Sequence, residues 1–166
     1  PAALKPELWM VGDGPLLPSA RSLVVELGLQ AHVRFFGVCS QARVAQLMRE
    51  VRGFVQHSMV APDGDSEGNP VSVMEAQLSG LPVVATRHAG IPEVVLEHET
   101  GLLVDEGDER GMAQAMARLL LDPELAARLG DCGRRRVQER FTVEHHLRQI
   151  EQLLRQVIED RGARPL

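Results

Sequence analysis

Along this chain, short apolar runs alternate with segments whose apolar residues recur every three or four positions, and glycine or proline stands at nearly every junction. The runs are "LWMV" (Leu8 to Val11), "VRFF" (Val33 to Phe36), "GFVQH" (Gly53 to His57), "PVVAT" (Pro82 to Thr86) and "GLLV" (Gly101 to Val104). Their length and their turn-forming flanks predict strands. Between them, Pro18 to Leu27, Gln41 to Glu50 and Val71 to Ser79 carry helical spacing, as in Val44, Leu47 and Met48. Past Val104 the pattern becomes wholly helical. One helix is predicted over Glu109 to Leu121, and a second opens at Asp122-Pro123 and ends at Gly130 with Gly133. A third spans Thr142 to Ile158, with an apolar stripe of Leu147, Ile150, Leu153, Leu154 and Val157. The closing "RGARPL" reads as frayed. This alternation predicts an α/β fold, Rossmann-like and doubly wound: one open, mostly parallel sheet of at least five strands with helices on both faces and a helical C-terminal tail. Ligands of such sheets bind beyond the carboxyl ends of the strands. The loops after Val11, Phe36, His57 and Thr86 therefore share the predicted rim.

Composition narrows the partners. The 166 residues suit one domain, long enough to bury roughly 70% of the surface of the unfolded chain without a staple. Cys39 and Cys132 lack metal-ligand spacing, so a reducing, cytoplasmic setting without redox chemistry is expected. No apolar run reaches the ~18 residues of a membrane span, and the first residues lack the pattern of a signal peptide, so a soluble chain is expected. With 18 Lys+Arg against 23 Asp+Glu, and aromatics at 3%, the chain offers neither a phosphate-neutralising surface nor stacking platforms, which argues against nucleic acid. Arg134, Arg135 and Arg136 read as a solvated helix face rather than a membrane patch. Met48, Met74, Met112 and Met116 read as core filling.

The stretch "DSEGNPVSVMEAQLSGLPVVAT" (Asp65 to Thr86) carries the candidate chemistry. Asn69 can cap a helix whose first turn holds Pro70. Glu67 then precedes the helix, and Glu75 lies about one and a half turns inside it. Gly68 lets backbone approach a ligand, and the amides of Val71, Ser72 and Val73 present a partial positive charge worth ~0.3–1 kcal/mol to an anion. That is a phosphate seat. Two carboxylates beside it would repel a bare phosphate, so they make sense aimed at hydroxyls of a ribose and a sugar, which points to a nucleotide sugar. The plainer alternative makes Glu67 a solvated loop residue and Glu75 a helix-surface one. "GDGP" (Gly12 to Pro15) fails the dinucleotide fingerprint, because Leu17 occupies the third glycine position, and reads as a turn holding Asp13. "HAGIPE" (His88 to Glu93) reads as turn chemistry leading into a helical turn. Among the histidines, His57 at a strand end is the best placed for a ligand, whereas His145 and His146 read as surface residues.

"EGNPVSVMEAQLSGLPVVATRHAGIPEVV", followed by "ETGLLV", closely resembles the C-terminal, donor-binding half of retaining glycosyltransferases of the GT-B fold, family 4. The hallmark is a Glu-x7-Glu motif in a Glu-Gly-x-Pro…Glu-Ala…Gly-x-Pro-Val-Val frame. The likeness extends back through "VGDGP", "VRFFGV" and "FVQHS" and forward to "RRRVQERFTVEHHLRQI". Within the family, "HSMVAPDGDSEGNPVSVMEA" looks most like exopolysaccharide glycosyltransferases of the colanic-acid or amylovoran type.

The resemblance implies hexosyl transfer from a nucleoside diphosphate sugar to a hydroxyl acceptor with retention, in bacterial surface polysaccharide biosynthesis. Glu67, as the catalytic residue, would lie beside the donor hexose, and Glu75 would accept from ribose hydroxyls. The backbone of Gly68, Asn69, Pro70, Val71 and Ser72 would cradle the sugar and distal phosphate. The loop at Gly37, Val38 and Cys39 resembles the segment lining the nucleobase pocket. It implies no metal and no further cofactor, and Asp63, Asp65 and Glu67 would meet a cation only by coincidence. It also implies that residues 1–166 lack the first strand of the donor half, with its Gly-Arg…Lys-Gly stretch, and the N-terminal domain that binds an acceptor glycan or lipid-linked sugar. Losing two charge-assisted bonds of ~1.5–3 kcal/mol each would weaken nucleotide binding by roughly two to four decades. The full-length enzyme would work in the cytoplasm, peripheral at the inner face of the membrane. An apolar stripe on the last helix that lacks its usual partner would favour a homodimer. Two alternatives stay open from the residues: a non-catalytic nucleotide-binding module of the same fold, and a UDP-sugar epimerase of GT-B fold.

Overall fold

The computed structural model describes residues 5–162, in which the chain divides into two compact units, Pro1–Glu50 and Val51–Leu166. The first unit runs β1 (Leu8–Val11), α1 (Leu17–Glu26), β2 (Val33–Gly37), α2 (Gln41–Glu50). β1 and β2 pair in parallel, Leu8 opposite Val33, with the register slipping between Met10 and Val11. Trp9 and Phe36 meet with ring centroids 5.2 Å apart, and the Arg21 guanidinium lies 4.4 Å from the Phe35 ring. Glu7 pairs with Arg34 at 2.9 Å. α1 buries no residue, and α2 buries Leu47 and Met48.

The second unit runs β3 (Phe54–Gln56), α3 (Val71–Leu78), β4 (Val83–Thr86), α4 (Ile91–Val94), β5 (Gly101–Val104), α5 (Glu109–Leu121), α6 (Pro123–Arg140), α7 (Val143–Gly162). Its sheet is parallel, in the order β3-β4-β5. β4 is buried at every position, as a strand covered on both faces must be, which is why "PVVAT" reads as an unbroken apolar run. Val84 and Leu102 pack with Leu119, Leu125 and Leu129 of the two helices that follow, and Met112 and Met116 lie against that cluster. Gly101 is required there. A Cβ at this position would stand 2.7 Å from the Val83 carbonyl oxygen and 2.5 Å from Val95 Cγ1.

Three expectations are corrected. The described strands form two ladders, β1-β2 and β3-β4-β5, instead of one continuous sheet. An apolar run specifies a strand but not its neighbour, and the α2 crossover permits adjacency of the strands it joins without imposing it. Second, α6 runs straight through Gly130 and Gly133. Neither glycine has the positive φ of a helix end. Both sit where α6 crosses α3: a Cβ on Gly130 would overlap the Gly80 carbonyl oxygen, and one on Gly133 would meet the Gln77 side chain at 3.1 Å. Third, Asn69 does not cap α3, whose N-cap is Pro70 in extended conformation with no side-chain bond.

α7 exposes Leu147, Leu153, Leu154, Val157 and Ile158 along its stripe. Of the tail expected to fray, Arg161 and Gly162 continue α7, and residues 163–166 lie outside the described residues. No helix among the described residues is long and apolar enough to cross a membrane.

Candidate functional site

The start of α3 gathers the predicted donor residues of the second unit. Pro70, fully buried, fixes the entry of the chain, and its carbonyl accepts the Val73 amide at 3.1 Å. Of the three amides predicted to be free, Val73's is therefore taken. Those of Val71 and Ser72 have no partner among the described residues, as expected for a helix start. Glu75 lies inside the helix, half-buried, and its carboxylate is unpartnered among the described residues. Glu67 is exposed in the preceding loop, where it accepts a bond of 3.3 Å from the Ser58 hydroxyl, which in turn accepts from Gln56 Nε2 at 3.0 Å. In chain order the two amides lie between two carboxylates, one tethered lightly and one without a partner among the described residues. This arrangement suits a ligand that brings both anionic oxygens and hydroxyl donors.

The loop from His57 to Asn69 is held from outside by groups that the sequence pattern alone does not single out. Thr86 Oγ1 donates to the Ser58 carbonyl at 2.5 Å, and the Val60 amide donates to Glu106 Oε2 at 3.0 Å. Ser66 Oγ lies 3.1 Å from His88 Nε2, and His88 Nδ1 lies 2.6 Å from Glu106 Oε1. The Gly90 amide donates to the Gly68 carbonyl at 2.7 Å. A Cβ on Gly90 would crowd that oxygen at 2.9 Å and Asn69 Cβ at 3.3 Å, so glycine lets the two turns touch. The hydrogen bond from His88, and after it that from the Val60 amide, holds the Glu106 carboxyl below the ordinary glutamate range. Thr86 ends β4, and His88 and Gly90 lie in the turn that follows, where no periodicity marks the side to which a residue points.

The remaining candidates are placed as follows. His57 follows β3 directly and is exposed, with no hydrogen bond among the described residues. Gly37 ends β2 in the first unit at φ +64°, and Val38, 81% exposed, and Cys39 follow it, with Cys39 Sγ 3.9 Å from the Phe36 carbonyl. Asp13 accepts from the Gly14 amide at 2.8 Å, the bond of a turn aspartate. Asp63 likewise accepts from the Asp65 amide at 3.1 Å. Among the described residues no three His, Cys, Asp or Glu side chains are grouped to hold a metal. Both cysteines are free thiols.

The sequence profile of the family described as glycosyl transferases group 1 matches residues 3–136. The chain is 31% identical over 148 residues to the amylovoran biosynthesis glycosyltransferase AmsK of Erwinia amylovora, covering 89% of this chain and 36% of the relative. It is 34% identical over 146 residues to the putative colanic acid biosynthesis glycosyltransferase WcaL of Escherichia coli K12, covering 87% and 36%. It therefore spans little more than a third of these curated relatives. Among solved structures, Anabaena HepE in complex with UDP-glucose superposes with a TM-score of 0.77 at 26% identity, over 90% of this chain and 41% of that one. The parallel α/β architecture and the Glu-Gly-Asn-Pro start of α3 agree with this likeness, and the chain belongs to the glycosyl transferases group 1 family.

Proposed function

We propose that this chain is the donor-binding half of a retaining GT-B glycosyltransferase that moves a hexosyl group from a UDP- or GDP-sugar to a hydroxyl acceptor in bacterial surface polysaccharide synthesis. The observation that carries the reading is the helix start at Pro70, where the amides of Val71 and Ser72, without partners among the described residues, follow Glu67 and precede Glu75 in the chain. The name of HepE, solved with UDP-glucose, and the names of AmsK and WcaL support a nucleotide sugar and a polysaccharide product.

In this reading the Val71 and Ser72 amides face the distal phosphate, where negative charge grows as the glycosidic bond to the leaving diphosphate breaks. Glu75, already half desolvated, accepts from the ribose hydroxyls. Glu67 lies beside the hexose, and the turn at Gly68, Asn69 and Pro70 lets the backbone approach the sugar, with Asn69 at the variable position that helps choose it. Gly37, Val38 and Cys39 line the base pocket, and His57 contributes a donor contact. The departing diphosphate takes the acceptor's proton, so the step needs positioning and charge stabilisation and no metal. The acceptor, a glycan or lipid-linked sugar, is supplied by a further domain, and the whole enzyme works in the cytoplasm against the inner face of the membrane. By itself the chain binds nucleotide weakly and transfers nothing.

Titrating the chain with UDP, GDP, UDP-glucose and GDP-mannose, followed by amide chemical shifts, tests the reading. Saturable binding of one nucleotide series, with shifts at Gly68 to Ser72 that vanish in Glu75→Ala, is the expected outcome. If neither this chain nor a longer one carrying the preceding strand responds at millimolar ligand, the donor reading is wrong.

A further inference from the structure

The loop between β3 and α3, residues 57–70, carries Glu67 yet has little apolar anchoring: Met59 and Val60 are 57% and 49% exposed, and residues 62–69 are exposed throughout. Ordering a segment of this kind costs backbone entropy at every residue. Polar bonds must therefore supply the order, and most of those reaching the loop from outside originate from Thr86, His88, Gly90 and Glu106. His88 differs from the others. It is 1% exposed, and its ring nitrogens are engaged on opposite sides by Ser66 and by Glu106. A buried imidazole costs free energy unless both nitrogens are satisfied, and here both are.

We propose that His88 is a positioning residue for the donor site: clamped at Nδ1 by Glu106, it holds the Ser66 hydroxyl at Nε2 and so fixes the loop that presents the neighbouring Glu67 to the donor sugar. The inference rests on the reading of Glu67 as the sugar contact. An ionised Glu106 can only accept, so Nδ1 carries the proton, and the neutral ring then accepts from the Ser66 O–H. A protonated ring donates from both nitrogens, and the Ser66 oxygen accepts instead. The tether therefore survives in either charge state. Glu106 holds a second point of the same loop through the Val60 amide, so one carboxylate braces the segment near its start and, through His88, just before Glu67. Holding a ligand-binding carboxylate through a buried partner, itself oriented by a third group, is how a site keeps its geometry without stiffening the ligand contact itself.

Ser66 is exposed, so Ser66→Ala removes the last link of the tether with little risk to folding; His88→Asn and Glu106→Gln remove the others. Amide hydrogen exchange without ligand reads the tether directly. In Ser66→Ala we expect the amides of Ala61, Gly64 and Gly90 to exchange about tenfold faster, as the loss of one hydrogen bond implies, with those of Val83 to Thr86 unchanged. Binding reads the purpose: the variant loses about tenfold in affinity for the nucleotide sugar that the wild type binds and nothing for the matching nucleoside diphosphate, because only the sugar reaches Glu67. Unchanged exchange in the loop overturns the proposal. So does equal acceleration in β4, which would make His88 a general support of the fold. Hydrolysis of p-nitrophenyl acetate by the wild type, lost in Ser66→Ala, also overturns it by making Ser66 a nucleophile. If neither this chain nor the longer one binds a nucleotide sugar, the donor reading falls while the exchange result still decides the tether.

Discussion

A carboxylate held by one serine hydroxyl at 3.3 Å and otherwise open to solvent is poised differently from one held by two donors. Glu67 is the first kind, and a ligand hydroxyl can replace or join its partner at little cost. Glu106 is the second, accepting from His88 and from the Val60 amide, and its carboxyl is held below the ordinary range chiefly by the His88 bond. The direction fixes a pH dependence. A depressed carboxyl contributes stability that is complete above its unfolded value near 4.5 and is lost as pH falls through the lower folded value. The loop from Val60 to Ser66 is therefore expected to loosen on acidification below pH 4.5. Hydrogen exchange of the Ala61 and Gly64 amides, referred to those of β4 at each pH, measures it. In Glu106→Gln that acid-dependent step should disappear.

At the scale of elements, the join of α3 and α6 governs how firmly the site is mounted. The helix start that bears the site continues into Ala76 and Gln77, both fully buried, and α6 closes over the other end of α3. Gly80, at φ +79°, ends α3, and Arg134 of α6 donates to the Ser79 carbonyl at 3.1 Å. Gly130 meets the chain just beyond. Alanine is the better helix former by about 1 kcal/mol, so on propensity alone Gly130→Ala would stabilise α6. Its Cβ would instead overlap the Gly80 carbonyl oxygen, a backbone atom that cannot turn aside. We expect Gly130→Ala to lower stability by about 1–3 kcal/mol, the range for overpacking, in urea denaturation. A gain in stability would show that α6 does not press on the end of α3.

For the molecule as a whole, the core is unevenly shared. Among the described residues of the first unit the buried apolar side chains are Leu47 and Met48, whereas Val73, Ala76, Val83, Val84, Ala85, Ile91, Val94, Val95 and Leu129, each at most 1% exposed, all belong to the second. Stability follows buried apolar area, at about 25 cal/mol per Å². The chain should consequently unfold in two steps. The Trp9 fluorescence of the first unit should change at lower urea than the far-ultraviolet circular dichroism of the second, whose helices α5 to α7 dominate that signal. Coincident transitions by the two probes would contradict this. The proposed donor residues at the start of α3 belong to the better-packed unit, and so should retain their arrangement after the first step.

Much of this was legible in the sequence for local reasons. Every strand and the long helices are announced by periodicity, and α2 and α5 fall within their predicted bounds, because burial of a strand run or a helix stripe leaves its mark on neighbouring residues. The candidate donor residues, too, are close together in sequence, so Glu67, Pro70 and Glu75 could be assembled into one helix start before any fold was known. The cap lies one residue later than the sequence pattern predicts, since extended Pro70 fills the capping position in place of Asn69. What sequence could not supply is whatever depends on elements far apart in the chain. Gly130 and Gly133 look like helix ends until α3 is seen beneath them. Five strand signals do not say that the ladder is divided between β2 and β3. His88 and Glu106 look like ordinary turn residues until folding brings them together and sets Ser66 on the far side of the ring. Periodicity records which face of an element is covered, whereas only the tertiary structure decides by what.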